Sequence, residues 1–75
     1  MSKYDLVGVD RNAFFIMGYV SNALRREGLK DKIAEYQAKA TSSDYDHLLA
    51  ISIEYVDLAN EAAVKNGYEE IEDEY

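Results

Sequence analysis

One segment constrains this chain more than any other: Asp5-Leu-Val-Gly-Val-Asp-Arg-Asn-Ala-Phe-Phe-Ile-Met-Gly-Tyr-Val20. Its second half predicts a helix from about Ala13 to Glu27. Ala13, Met17, Val20 and Leu24 form the i, i+4, i+7, i+11 stripe of a helix with one buried face. Phe14, Phe15, Ile16 and Tyr19 fall off that stripe, so the first half of the helix is apolar on more than one face. A helix of that kind is normally covered on several sides. Gly18 in its middle costs ~1 kcal/mol against Ala, which a close approach of another element would explain. Arg25 and Arg26 suit the negative end of the helix dipole, and Gly28 followed by Leu29 suits a helix stop.

The first half of the segment, Tyr4–Val9, is rich in strand formers and predicts one short strand, with Gly8 weakening it or marking a bulge. Asp10, Arg11 and Asn12 form the turn, with Asn12 the preferred N-cap and Asp10 the second choice. No other stretch reads as a strand. A lone strand has two unsatisfied edges; this one can pair with its twin in a second copy, dock as an extended arm, or be no strand at all.

The remainder predicts two further helices. The first spans about Lys30–Ala40 with Leu29, Ile33, Tyr36 and Ala40 on one stripe. The second runs to about Asn66, with Ser43 as N-cap and Asp46 three residues on. In it Leu48, Ile51, Tyr55, Leu58 and Ala62 form one stripe, Leu49, Val56, Ala59 and Ala63 its neighbour, and Asn66-Gly67 the end. The expected fold is mostly α: one short N-terminal strand followed by three helices, in a small domain over residues 1–67. An acidic, mobile tail is expected over 68–75.

A 75-residue domain buries only ~60% of the surface its unfolded chain exposes and needs reinforcement. There is no cysteine and only one histidine, His47, so disulfides and histidine- or thiolate-based metal sites are not expected. That leaves oligomerisation, a dimer or higher, with Leu6, Val7, Phe14, Phe15 and Tyr19 as the expected interface. The net charge is −7, but five acids fall between Glu69 and Glu74; without them ten acids face eight bases. The acidic total argues against non-specific binding to nucleic acid or to anionic membranes. The longest apolar run, Ala13–Val20, is too short to span a bilayer. Charges in Met1–Asp10 argue against a secretory leader, and the lack of cysteine fits a reducing cytoplasm.

The turn before the first helix is the strongest site candidate. A helix N-terminus accepts anions, Arg11 offers a fork of donors to phosphate, Asn12 can cap or touch a ligand, and Tyr4 or Tyr19 can stack on a base. The blander reading is a capped helix with a solvated arginine, since no glycine-rich phosphate fingerprint is present. His47 with Asp44 and Asp46 suggests chemistry, but helix capping explains both acids. No catalytic residue, metal or cofactor is expected. The acidic tail reads as solubilising rather than as a nucleic-acid mimic.

At Asp5-Leu-Val-Gly-Val-Asp10, Asn12-Ala-Phe14 and Met17-Gly18, and again at Ser43-Asp-Tyr-Asp-His-Leu-Leu49, the chain resembles a set of short uncharacterised phage and prophage proteins. The likeness covers about Asp5–Leu58. That set usually has Gly at positions 11 and 43, where this chain has Arg11 and Ser43. No activity attaches to the set. The resemblance implies a phage accessory protein at work in the cytoplasm of an infected or lysogenic bacterium. The resulting expectation is a non-enzymatic binding protein, an inhibitor of host defence that sequesters an anionic cyclic nucleotide as a homo-oligomer. The alternatives are a protein-interaction module that blocks a host enzyme, and a structural phage protein without ligand.

Overall fold

Local chemistry sets each helix boundary. The computed structural model describes residues 2–69. Helix α1 spans Ala13–Arg26; the Asn12 side chain caps it by accepting from the Phe14 N–H at 2.9 Å. Gly28 ends it at φ +79°, with Leu29 N–H donating to the Leu24 carbonyl at 2.8 Å, the closure in which a left-handed glycine lets the chain reverse. A single 3₁₀ turn at Lys30–Lys32 leads into α2, Ile33–Ala40. Helix α3, Tyr45–Lys65, is capped by Asp44, whose carboxylate accepts from the His47 N–H at 3.0 Å. The cap therefore falls one residue later than Ser43, and Asp46 sits in the first turn. Gly67 at φ +104° closes α3, with Tyr68 N–H on the Ala63 carbonyl.

Three helices, with α3 lying against both α1 and α2, make up the fold. Their shared core holds Ile16, Val20, Ala23 and Leu24 from α1, Tyr36 and Ala40 from α2, and Leu48, Tyr55, Val56, Ala59 and Ala63 from α3. The buried face of α1 is rotated from its expected stripe. Ile16 is buried while Ala13 and Met17 are half-exposed. The α3 face likewise lies between the two expected stripes and centres on Ser52. That serine is fully buried because its Oγ shares a 2.7 Å hydrogen bond with the equally buried Tyr36 hydroxyl, removing the cost of an unpaired polar group. Burial pushes the Tyr36 phenol up from its ordinary pKa. The Tyr55 ring packs 5.2 Å from that of Tyr36, and its hydroxyl reaches the Glu35 carboxylate.

The predicted N-terminal strand is absent: the described residues contain no β-strand. Tyr4–Val9 is instead an arm docked on α3. The side-chain amide of Asn60 accepts from the Tyr4 N–H at 2.8 Å and donates to the Tyr4 carbonyl at 3.0 Å. One side chain thus supplies both bonds a neighbouring strand would have given. The arm then turns: Val9 N–H returns to the Leu6 carbonyl at 3.1 Å, with Gly8 at φ +88°, the signature of a type II turn that needs glycine at its third position. Asp5 stabilises the turn by accepting from Val7 N–H, and Asp10 accepts from Asn12 N–H. Arg11 needs no special backbone, since positive φ among the described residues belongs to glycines alone. Tyr68 packs half-buried against the core. The remainder of the predicted acidic tail, 70–75, lies outside the described residues.

Candidate functional site

Three clusters of polar or reactive groups stand apart from the core, and their geometry separates them. The first gathers on Glu27, the C-cap of α1. Its carboxylate is almost wholly covered, yet it accepts from Tyr4 Oη at 2.5 Å, Lys3 Nζ at 2.8 Å and Asn66 Nδ2 at 3.1 Å. Lys3, foremost, and Tyr4 hold the Glu27 carboxyl at a pKa of about 2, because each donor favours the charged form. The Lys3 ammonium also lies 5.6 Å from the Tyr4 ring centre and 5.9 Å from that of Tyr68. Every carboxylate partner comes from this chain. The cluster joins the arm, the end of α1 and the end of α3, and its carboxylate is committed to donors of this chain.

The second cluster surrounds His47. Its Nε2 lies 2.9 Å from the Lys39 carbonyl and 3.2 Å from Ser42 Oγ. A carbonyl only accepts, so Nε2 carries the hydrogen. Ser42 Oγ donates to that same carbonyl at 2.8 Å. A protonated Nε2 cannot take the serine proton, and Asp44 caps the backbone N–H of His47 rather than orienting its ring. The pair ties the end of α2 to the start of α3. Among the described residues no group of three or more His, Cys, Asp or Glu side chains is placed to hold a metal ion.

The third cluster is the start of α1, and its side chains face outward. The arm turn, α1 and the first half of α3 enclose an open cleft of about 360 Å³. Leu6, Val9, Ile16, Leu49 and Ile53 give it apolar walls, and Arg11 and Tyr45 line it too. The Tyr45 hydroxyl donates to the Arg11 backbone carbonyl, which holds the tyrosine ring against the turn. The Arg11 guanidinium forms no ion pair among the described residues. Large apolar groups stand in water here: Val7, 87% exposed, and Ile53, 55%, line the cleft, while Phe14, 85%, and Phe15, 60%, lie outside it on α1. Exposed apolar surface of this kind marks a contact site more often than a scatter of single residues does.

The four residues expected to share a ligand site occupy different places. Arg11 and Asn12 lie at the turn, with the Asn12 side chain committed to capping. Tyr4 is only 5% exposed. Tyr19 meets it edge-on with ring centres 6.4 Å apart, and its hydroxyl accepts from the Asp5 N–H at 2.9 Å. Both tyrosines border a shallower hollow with Lys3 and Arg26, apart from Arg11. Of the expected interface residues, Val7, Phe14 and Phe15 are exposed, while Leu6 and Tyr19 are half-buried. Tyr45 beside Arg11 was missed in the sequence because it reads only as the first residue of α3. Glu27 was missed as well, although Val20, Ala23, Leu24 and Glu27 fall on a single helical face, a pattern that places a carboxylate in line with the core.

No protein-family model, curated protein or solved structure matches this chain.

Proposed function

We propose that the protein is a non-enzymatic binding protein whose contact surface is the start of α1. In its sharpest form it takes an anionic nucleotide, such as a cyclic nucleotide, in the cleft beneath the Leu6–Val9 turn. Arg11 would pair with phosphate, Tyr45 would stack on the base, and a second copy would close the open side. One observation carries this reading: an exposed arginine without an ion pair among the described residues and a partly exposed tyrosine share an apolar cleft, the combination that suits a charged group joined to a flat ring. Resemblance to short phage proteins adds, by association alone, that the ligand is a signal of the host.

Titration calorimetry against a panel of linear and cyclic nucleotides tests it. Binding in the micromolar range is expected, weakened at least tenfold by Arg11→Ala with the unfolding midpoint unchanged. Folded protein at 100 µM that takes up none of the panel would refute the nucleotide reading.

A second reading rests on Phe14 and Phe15, which do not line that cleft and yet stand exposed. In it the surface docks on a host protein and blocks it. A specific partner enriched from lysate by the intact chain, and lost with Phe14→Ser and Phe15→Ser together, would support this reading over the first.

A further inference from the structure

Gly18 has no explanation among the described residues. It lies in the middle of α1, where glycine costs about 1 kcal/mol against Ala. A Cβ built on it meets no atom within 4 Å, so the close approach that would justify a glycine comes from none of the described residues. Its neighbours on the helix surface are Phe14 and Phe15, four and three residues earlier, and Ser21 and Asn22, three and four residues later. Ser21 is buried toward α2; the others are exposed, as are Arg25 and Arg26. This is the face opposite Ile16, Val20, Ala23 and Leu24, which fill the core. One side of α1 is thus a complete core face; the other carries two aromatic rings beside a patch of bare backbone.

We propose that this outer face pairs with α1 of a second copy, antiparallel, about a two-fold axis crossing the helix midway between Phe14 and Gly18. The proposal keeps from the reading above only that the chain pairs with a second copy; this contact lies on the other face of α1 and does not close the Arg11 cleft. Two-fold symmetry makes such a contact self-complementary. Phe14 of each copy then lies across from Gly18 of the other, a ring set against a position with no side chain. Charge fixes the direction. The last turn of α1 carries Arg25 and Arg26, and its first turn carries no acid, while exposed Asp10 stands just before the helix, its carboxylate on the Asn12 N–H. Antiparallel pairing brings the arginines of one copy toward Asp10 of the other; parallel pairing would set the arginines against themselves. Arg11 turns into the cleft beside Tyr45 and stays out of this contact. With the axis at the level of Ile16, only Ala13–Tyr19 of each helix lie opposite one another, about 10 Å of helix, so the contact stays well below the ~800 Å² per partner of a standard stable interface. The dimer is accordingly weak, with a dissociation constant on the order of 10–100 µM.

Sedimentation equilibrium of the full chain from about 5 µM to 1 mM, without nucleotide, tests the pairing, alongside thermal unfolding of the same samples. The wild type should pass from monomer to dimer across that range. Gly18→Leu should leave a monomer at 1 mM and yet unfold at the same temperature or higher, because the site is open and leucine favours helix. Phe14→Ser should also leave a folded monomer. A wild-type chain that stays monomeric to 1 mM overturns the proposal. So does a dimer whose affinity survives both substitutions, since its interface must then lie elsewhere. A dimer that binds no nucleotide sinks the nucleotide reading alone; a monomer that binds nucleotide sinks this one alone.

Discussion

The two ends of α1 are built on opposite plans. At its C-terminal end a carboxylate turns inward, while Arg25 and Arg26 stay in solvent. Glu27 is covered and satisfied by Lys3, Tyr4 and Asn66, and no buried side-chain nitrogen or oxygen among the described residues lacks a partner. At its N-terminal end the apolar groups turn outward, with Val7, Phe14 and Phe15 in solvent around Arg11. A small domain with little core to spare places its most polar side chain inside and two of its largest apolar ones outside. The first arrangement stabilises the fold. The second contributes little to the isolated chain, and exposed phenylalanine gains its worth from something that covers it. The comparison assigns stability to one end and leaves the other as the surface proposed for recognition.

The hardest blow to that assignment would come from Glu27. Glu27→Ala leaves the Tyr4 hydroxyl and the Asn66 amide without their shared acceptor. It should cost about 2–4 kcal/mol in chemical denaturation. A loss under ~0.5 kcal/mol would show that the buried end is not where stability resides. The pH dependence follows from the same group. Its carboxyl titrates at about 2 in the folded chain against an ordinary 4.5. A depressed folded pKa means that the contribution is complete above about 4.5 and is lost as pH falls toward about 2. On the order of 2 kcal/mol is expected once solvent screening at half-exposed Lys3 is allowed for. Glu35, lowered chiefly by the Tyr55 hydroxyl, acts in the same direction. Urea midpoints measured from pH 6 to pH 2 should fall steeply in the wild type and more gently in Glu27→Gln.

Smaller effects sharpen the contrast. Asn60→Ala should cost about 1–2 kcal/mol by freeing two backbone groups of Tyr4, and the Tyr4 amide should lose its protection from hydrogen exchange. Phe14→Ser should change the unfolding free energy by less than ~0.5 kcal/mol, as at other exposed positions. A larger loss would mean that the exposed end also supports the fold.

What could be read from the sequence was the chemistry that acts over a few residues. Asn12 caps α1, and Gly28 and Gly67 close their helices, because capping and left-handed turns are decided by neighbours along the chain. The strand at Tyr4–Val9 was misread for the converse reason. Its residues favour extended backbone, but what fixes them is Asn60, 56 positions away, and no local pattern announces an amide that stands in for a strand. Gly8 reads in the sequence as a weak point or bulge of a strand, whereas it is the left-handed residue of the Leu6–Val9 turn. The phase of α1 slipped by one position because Ile16 and Met17 are both apolar and only packing against α3 chooses between them. Tyr4 and Tyr19 were placed beside Arg11 on sequence proximity, and the folded arm carries them to another hollow.

The Asn60 clip also sets a hierarchy of opening. Residues 2–9 contain no helix and are held chiefly by one amide and by what converges on Tyr4 and Glu27. They can detach in a step that leaves α1–α3 hydrogen-bonded, at a free energy below that of global unfolding. Detachment removes the Leu6–Val9 wall from the cleft and uncovers the Tyr19 ring. The cleft is therefore latched from the stable end, and how long its Leu6–Val9 wall stays in place is set in part by a single asparagine.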